Sequence, residues 1–576
     1  MARRRWCHLP LPPTPTCRRR RDAGPPPRTR RMESSRMNRL MTRWLTALAS
    51  LAMLATTAQA AELPRVRLEG GASQLIVDGK PFLILGGELG NSSAGAEAQA
   101  DTVLPHLASL HVNTALVPVA WDQLEPQEGS YDFRVLDHWV EVARRQNMRL
   151  VLLWFGSWKN GFSEYAPGWV KADGARFPRA RAVDGTPLEI LSTFGEETLK
   201  LDRRAFAALM AHLRQTDKQQ TVLMVQVENE VGLVGDGRDR SAEADRAFNS
   251  AVPASLVQAL QSKRGELTPE LAAHFNPQGR NWKEVFGDAA DEVFMTWRYA
   301  SYIDSVAQAG KEQYALPMYL NVQLPAPLER AGEYPSGGPH PYYQQVYRAV
   351  ASHIDFYAPD IYWPEFEYWV QRYQALGNPV FIPEARLQVA PYNALYAYGQ
   401  ARGFGFSPFD IDSLPAPGKD GGQDPLMMQV YGALKQLGDM LPAAQADNRT
   451  RGMVLHAKSP RATQTVSLGG YLFSGTLARS WPEKTLLTDD GAMLVLESAP
   501  DEFFVVGSGL HVNVRRDPDT DARVAGISSI EEVTRSGAGW TVLQRLNGDQ
   551  SNQGRQLMMD PRQIRIYRVR LHAFAR

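Results

Sequence analysis

Two apolar runs in this sequence stop abruptly at carboxylates. One reads Met224-Val225-Gln226-Val227-Glu228-Asn229-Glu230-Val231-Gly232, the other Val380-Phe381-Ile382-Pro383-Glu384-Ala385-Arg386. Cleavage of a glycosidic bond through an oxocarbenium-like transition state needs such a pair: one carboxylic acid protonates the departing oxygen, and one carboxylate attacks the anomeric carbon or activates water. Glu230 and Glu384 are the expected catalytic pair. Asn229 sets an amide beside the acid, where it can hydrogen-bond a hydroxyl next to the reacting carbon. Glu228, by strand alternation, faces away from Asn229 and reads as structural. The alternative is an ordinary pair of surface or salt-bridged acids.

Carboxylates so far apart in the chain meet only if the fold brings strand ends together. From about Leu75 to Asp412 short apolar runs alternate with amphipathic stretches, the pattern of repeated β/α units around a parallel sheet. Eight strand candidates can be counted, as a closed (β/α)8 barrel requires: Phe82–Gly87, Thr114–Val119, Arg149–Phe155, Thr221–Val227, Pro317–Val322, Phe356–Tyr362, Val380–Pro383 and Gly403–Phe406. Leu136, Trp139, Val140 and Ala143 lie on one stripe of a helix expected over Val135 to Gln146, and Phe206, Leu209, Met210 and Leu213 repeat the spacing. In such a barrel, polar side chains just past the strand C-termini converge on one open face. Glu230 follows the fourth candidate and Glu384 the seventh. Flat aromatic faces at strand ends can stack on sugars, which makes Trp121, Trp154, Trp158, Tyr362 and Trp363 candidate platforms, each equally readable as core. Glu88, Asn91, Glu125, Asn160 and Arg386 are candidate polar contacts, with loop bracing as the alternative.

The breaker-rich stretch from Leu414 to Gly422 precedes a helix expected over Leu426 to Leu441, after which the period changes to two. Thr465 to Phe473, Met493 to Glu497, Phe503 to Val506, Leu510 to Val514, Trp540 to Leu546 and Ile564 to Leu571 read as antiparallel strands of a C-terminal β-sandwich. The expected organisation is a leader over 1–36, an export signal over 37–60, a barrel over 61–441 and the sandwich over 442–576. The export signal rests on a basic start, an apolar run and the small-residue site Ala58-Gln59-Ala60, and implies a periplasmic or secreted protein. Met37 or Met32 is an alternative start.

The net charge of +1, from 63 basic and 62 acidic residues, exerts no pull toward nucleic acid, and the body of the chain contains no run apolar enough to anchor it in a membrane. A neutral carbohydrate is the partner that suits this balance; oligomeric state is not legible. Thirteen Trp and twenty Tyr are a compositional hint in the same direction. Both cysteines, Cys7 and Cys17, precede the signal, so the body has no thiol nucleophile or disulfide. The histidines show no ligand spacing, and no phosphate loop, dinucleotide fingerprint or Gly-x-Ser-x-Gly elbow is present, so no metal and no cofactor are expected.

The stretch Gln226-Val227-Glu228-Asn229-Glu230 resembles the acid/base signature of glycoside hydrolase family 35, the β-galactosidases of the retaining (β/α)8 clan. Glu384 after Phe381-Ile382-Pro383 is similar to that family's nucleophile. The runs Val77 to Glu88 and Trp121 to Phe133 resemble its first strand and second-strand loop, so the likeness spans about Leu75 to Asp412. It implies Glu230 as acid/base, Asn229 on the sugar 2-hydroxyl and Glu384 as nucleophile. Three places depart from the family's pattern: Pro118 stands for a tyrosine, Gly156-Ser157-Trp158-Lys159-Asn160-Gly161 for an Ala-Glu pair, and Arg386 for a tyrosine past the nucleophile. The layout resembles a bacterial subgroup acting on plant-wall side chains such as galactosylated xyloglucan. The expectation is an exo-acting retaining β-galactosidase; the rivals are an endo-acting β-glucanase or β-mannanase of the same clan and a non-catalytic polysaccharide-binding barrel.

Overall fold

The computed structural model describes residues 62–418, 423–459, 461–519 and 523–575. The expected leader and export signal lie outside the described residues, as do residues 419–422 of the breaker-rich stretch.

Eight parallel strands build the barrel: β1 (Ile84–Glu88), β2 (Thr114–Ala120), β3 (Arg149–Lys159), β4 (Val222–Asn229), β5 (Met318–Gln323), β6 (Phe356–Asp360), β7 (Phe381–Ala385) and β8 (Gly405–Pro408). They pair in chain order from β1 to β6, and β7 pairs with β8 and β8 with β1. A parallel bridge from Ile361 to Ala385 closes the seam between β6 and β7. All eight expected strands are present. Their continuous apolar character has a physical cause, since both faces are buried: Val151, Leu153, Phe155, Tyr319, Phe356, Ala358 and Phe381 share the core inside the barrel, while Leu150, Leu152, Trp154, Val225 and Val227 pack outward on the helices. The stripe helix runs Arg134–Arg145 with Leu136, Trp139, Val140 and Ala143 buried as expected. The helix Glu196–Thr216 buries Phe206, Leu209, Met210 and Leu213.

A leading antiparallel sheet, Arg65–Glu69, Ala72–Val77 and Lys80–Phe82, shuts the end of the barrel opposite the strand C-termini. Leu75 and Val77 join the interior core there, and Ser73 Oγ accepts from the Val380 N–H just before β7. Side chains of chemical interest are therefore confined to the other mouth.

The C-terminal region is a two-sheet antiparallel sandwich. Six strands pair in the order Thr450–His456, Asp490–Ala499, Glu502–Ser508, Arg565–Phe574, Val524–Ser536 and Gly539–Leu546; four more follow the order Gln464–Leu468, Tyr471–Leu477, Leu510–Arg516 and Gln556–Met558. Met453, Phe473, Val495, Phe503, Val512 and Tyr567 fill the space between the sheets. The single strand expected over Thr465 to Phe473 is two, because Gly469 (φ +59°) and Gly470 (φ +77°) turn the chain back on itself. The helix expected over Leu426 to Leu441 ends at Leu437, where Gly438 takes φ +53°, and a second helix runs Met440–Ala446.

Barrel and sandwich share one apolar cluster, in which Leu494, Leu496 and Val506 of the sandwich join the barrel's helices. The helix Ala390–Gly399, which follows β7, is buried at every position. Its last residue comes so close to the sandwich that a Cβ on Gly399 would lie 2.6 Å from the Arg451 carbonyl oxygen. Among the described residues no helix is long and apolar enough to cross a membrane.

Candidate active site

Seven of the eight strand ends send a side chain or the following loop to the open mouth, where a pocket of about 370 Å3 is lined by Asn91, Lys159, Asn160, Glu230, Gln323, Leu324, Asp360, Tyr362, Trp363, Glu384 and Phe409. Glu230 and Glu384 meet there. Together with Asp360 they present carboxylate oxygens that all lie within 4.8 Å of one another. Among the described residues these three acids are the group close enough to face a cation, and the set contains neither imidazole nor thiolate.

The chain bends sharply to deliver Glu230. Glu228 (φ +60°) and Glu230 (φ +43°) both adopt the left-handed region, which costs a non-glycine residue about 1–3 kcal/mol and needs surrounding support. For Glu230 the support is a relay: its N–H donates to Asn321 Oδ1 at 2.9 Å, and Asn321 Nδ2 donates to Asp360 Oδ2 at 2.7 Å. For Glu228 it is a buried carboxylate that accepts from the Ser157 N–H at 3.2 Å and the Trp158 N–H at 2.8 Å. Glu228 thus points away from the pocket, opposite to Asn229, its left-handed backbone breaking the alternation of the strand.

Asn160 Nδ2 donates to Glu230 Oε2, and the Tyr362 hydroxyl donates to Glu384 Oε1 at 2.5 Å. Lys159 Nζ donates to Asn229 Oδ1 at 3.0 Å, leaving Asn229 Nδ2 without a partner among the described residues. Both Glu88 oxygens, Asp360 Oδ1 and Glu384 Oε2 are likewise buried, with no partner beyond the neighbouring carboxyl groups. A buried polar atom without a bond is costly unless something arrives to satisfy it, and the hydroxyls of a sugar would do so.

Charge is crowded here. Burial, then the neighbouring Glu384, raises the Glu230 carboxyl to about 7, against the lowering pull of Lys159 and Asn160. Burial followed by Glu384 also pushes Glu88 and Asp360 well above the usual carboxylate range. Four acids face one ammonium, so the cluster holds protons that isolated carboxylates would release.

Of the residues expected from sequence, Asn91, Asn160, Glu230, Tyr362, Trp363 and Glu384 line the pocket, and Glu88 and Asn229 lie buried against it. Four are corrected. Trp121 begins a short helix immediately after β2, is fully buried, and donates from Nε1 to Glu125 Oε2 at 2.9 Å. Glu125 is a loop brace that also accepts from Arg204 Nη2 at 2.6 Å and the Gly129 N–H at 2.6 Å. Trp158 packs between Tyr299 and Tyr302 outside the barrel, as Trp154 packs on Phe206. Arg386 is exposed and donates to Gln388 Oε1 at 3.3 Å. Lys159, Gln323 and Asp360 were missed. Strand parity could have found them: Lys159 shares its parity with inward Leu153 and Phe155, Gln323 with Tyr319, and Asp360 with Phe356 and Ala358. The same rule sends Trp154 and Trp158 outward.

Residues 94–263 match the family model Glyco_hydro_42, described as Beta-galactosidase, and residues 427–558 match a domain of unknown function, DUF5597. The first match corrects the resemblance to family 35: the two are different families of one clan. The motifs behind that resemblance, acids at the fourth and seventh strand ends with an Asn before the first, are what the clan's chemistry demands and do not separate its families. No curated protein matches the chain. Among solved structures, a catalytic mutant of a GH42 β-galactosidase from G. stearothermophilus is 12% identical with a TM-score of 0.48, covering 85% of this chain and 98% of that one. A β-galactosidase from Bacillus circulans sp. alkalophilus is 16% identical (TM-score 0.41; 63% of this chain, 57% of that one), and a β-mannanase from the blue mussel Mytilus edulis 12% identical (0.41; 66% and 98%). Likenesses this remote bear on neither activity nor substrate.

Proposed function

We propose that this chain, a glycoside hydrolase, is a retaining β-galactosidase that removes terminal galactosyl residues from plant-wall oligo- or polysaccharide side chains by double displacement. The observation that carries the reading is the approach of Glu230 and Glu384 to within 4.8 Å across the barrel mouth. Retaining enzymes hold their carboxyl groups about 5–5.5 Å apart, whereas inverting ones leave about 6.5–9.5 Å for an intervening water.

In the first step the Glu230 carboxylic acid gives its proton to the departing glycosidic oxygen while a Glu384 oxygen attacks the anomeric carbon, breaking the glycosidic bond and forming a glycosyl ester. In the second, Glu230, now a carboxylate, takes a proton from water, whose oxygen attacks the same carbon and returns Glu384. The Tyr362 hydroxyl holds Glu384 in line, and Asn229 Nδ2 is the free donor for the 2-hydroxyl. The modest pocket volume favours a terminal sugar over a through-running chain, and hence exo action. Galactose is supported by the matched family model.

Aryl β-glycosides of galactose, glucose and mannose, assayed with wild type, Glu230→Ala and Glu384→Ala, test this reading. The galactoside is expected to be the best substrate and both variants to lose at least about 1,000-fold in kcat. Azide should restore turnover to Glu384→Ala and release a product of inverted anomeric configuration. Retention of activity by both variants would remove the assignment.

A further inference from the structure

A second cavity, of about 360 Å3, is lined by the segment that follows β6. Trp363 lines the pocket, and Pro364, the next residue, lines the cavity. One wall is the barrel segment from Pro364 to Gln371, including Glu365 and Tyr368; the other is the first sandwich strand and the turn after it, with His456, Lys458 and Arg461. The two walls are tied together, since Glu367 accepts from Arg461 Nη1 at 3.1 Å and from Gln464 Nε2 at 2.8 Å. The cleft is thus built by both parts of the molecule and held at a set width.

Its lining has the chemistry of a sugar site. Tyr368 is a large aromatic left 49% exposed, braced edge-on by Trp369 at 5.1 Å and by the Arg372 guanidinium 5.9 Å over its ring. Apolar sugar faces stack on such rings, and hydroxyls accept hydrogen bonds from cationic groups and donate them to carboxylates. Glu365 and Lys458, both exposed, supply one of each, a balance that suits a neutral ligand.

We propose that this cleft binds the aglycone, the neutral oligosaccharide chain from which the terminal galactosyl group is removed, with Tyr368 as its stacking platform. The proposal rests on the glycosidase reading above and adds to it a place for the chain, and with it a preference for galactosyl groups borne on several sugars over short galactosides. The sandwich then takes part in substrate selection by supplying half of the binding wall.

The test compares wild type, Tyr368→Ala and Lys458→Ala on an aryl β-galactoside and on β-galactosyl-capped oligosaccharides of increasing length. In wild type KM is expected to fall with chain length. Tyr368→Ala should raise KM for the longest substrate about 3- to 10-fold, Lys458→Ala by less, and both should leave aryl β-galactoside kinetics within about twofold of wild type. Equal losses on both substrate classes, or no gain with length in wild type, would overturn the proposal. If wild type hydrolyses no β-galactoside, the functional reading fails on its own. Affinity electrophoresis in a gel containing a galactosylated polysaccharide still reads the cleft: retardation lost in Tyr368→Ala supports it, and identical retardation of the variant, or none in wild type, refutes it.

Discussion

In the proposed reaction the acid must carry its proton, and the position of Glu230 sets where it does. With its carboxyl raised to about 7, the protonated fraction falls as pH rises through that value, so kcat/KM should decline about tenfold per unit on the alkaline side, read from initial rates on an aryl galactoside. The hydrogen bond from Asn160 stabilises the charged form and lowers that value. Asn160→Ala should therefore move the alkaline limb to higher pH; a limb that stays or moves down would refute the role given to Asn160. The pair Glu230 and Glu384 was legible because carboxylates directly after apolar runs are conspicuous. Asp360 was not, since it follows a proline inside an unremarkable strand and only its parity with Phe356 and Ala358 turns it inward. Conversely, Trp121 follows a strand and so reads as a platform at the mouth, whereas β2 passes straight into the helix Trp121–Leu124 and carries the ring under cover.

At the scale of elements, β4 needs a secure start as much as a sharp end. Asp217, buried at the foot of the strand, accepts from the Thr221 N–H at 2.9 Å, the Val222 N–H at 2.8 Å and Arg144 Nη2 at 2.7 Å. Replacing it with alanine leaves buried donors unsatisfied, at about 1–3 kcal/mol each. Asp217→Ala is accordingly expected to lower stability by about 2–4 kcal/mol in denaturant titrations while leaving the KM of the surviving folded enzyme close to wild type. The barrel strands were readable from sequence because burial on both faces makes them apolar throughout. The sandwich was read less completely: Val524–Ser536 is mostly half-exposed and has no apolar run, and Thr450–His456 follows a helix with hardly a break, so neither strand stands out.

For the molecule as a whole, the close approach at Gly399 predicts that bulk there is felt on both sides of the junction. Gly399→Val should cost about 1–3 kcal/mol through overpacking, and because barrel and sandwich share one apolar cluster, calorimetry should still show one cooperative transition. Two separate transitions would show that the shared cluster does not couple them. The helix Leu426–Leu437 carries this union furthest. Its Tyr431 hydroxyl donates to the carbonyl oxygens of Gly86 at 2.7 Å and Phe406 at 2.8 Å on the barrel, while Gln436 Oε1 accepts from the Arg535 N–H at 2.8 Å and Gln429 Oε1 from the Ile564 N–H at 2.9 Å on the sandwich. That single rod is a bolt threaded through two plates. Anyone grafting a foreign sandwich onto this scaffold would have to transplant the bolt as well and match it to the host at Gly86 and Phe406, because a cut on either side of that helix strips one set of threads.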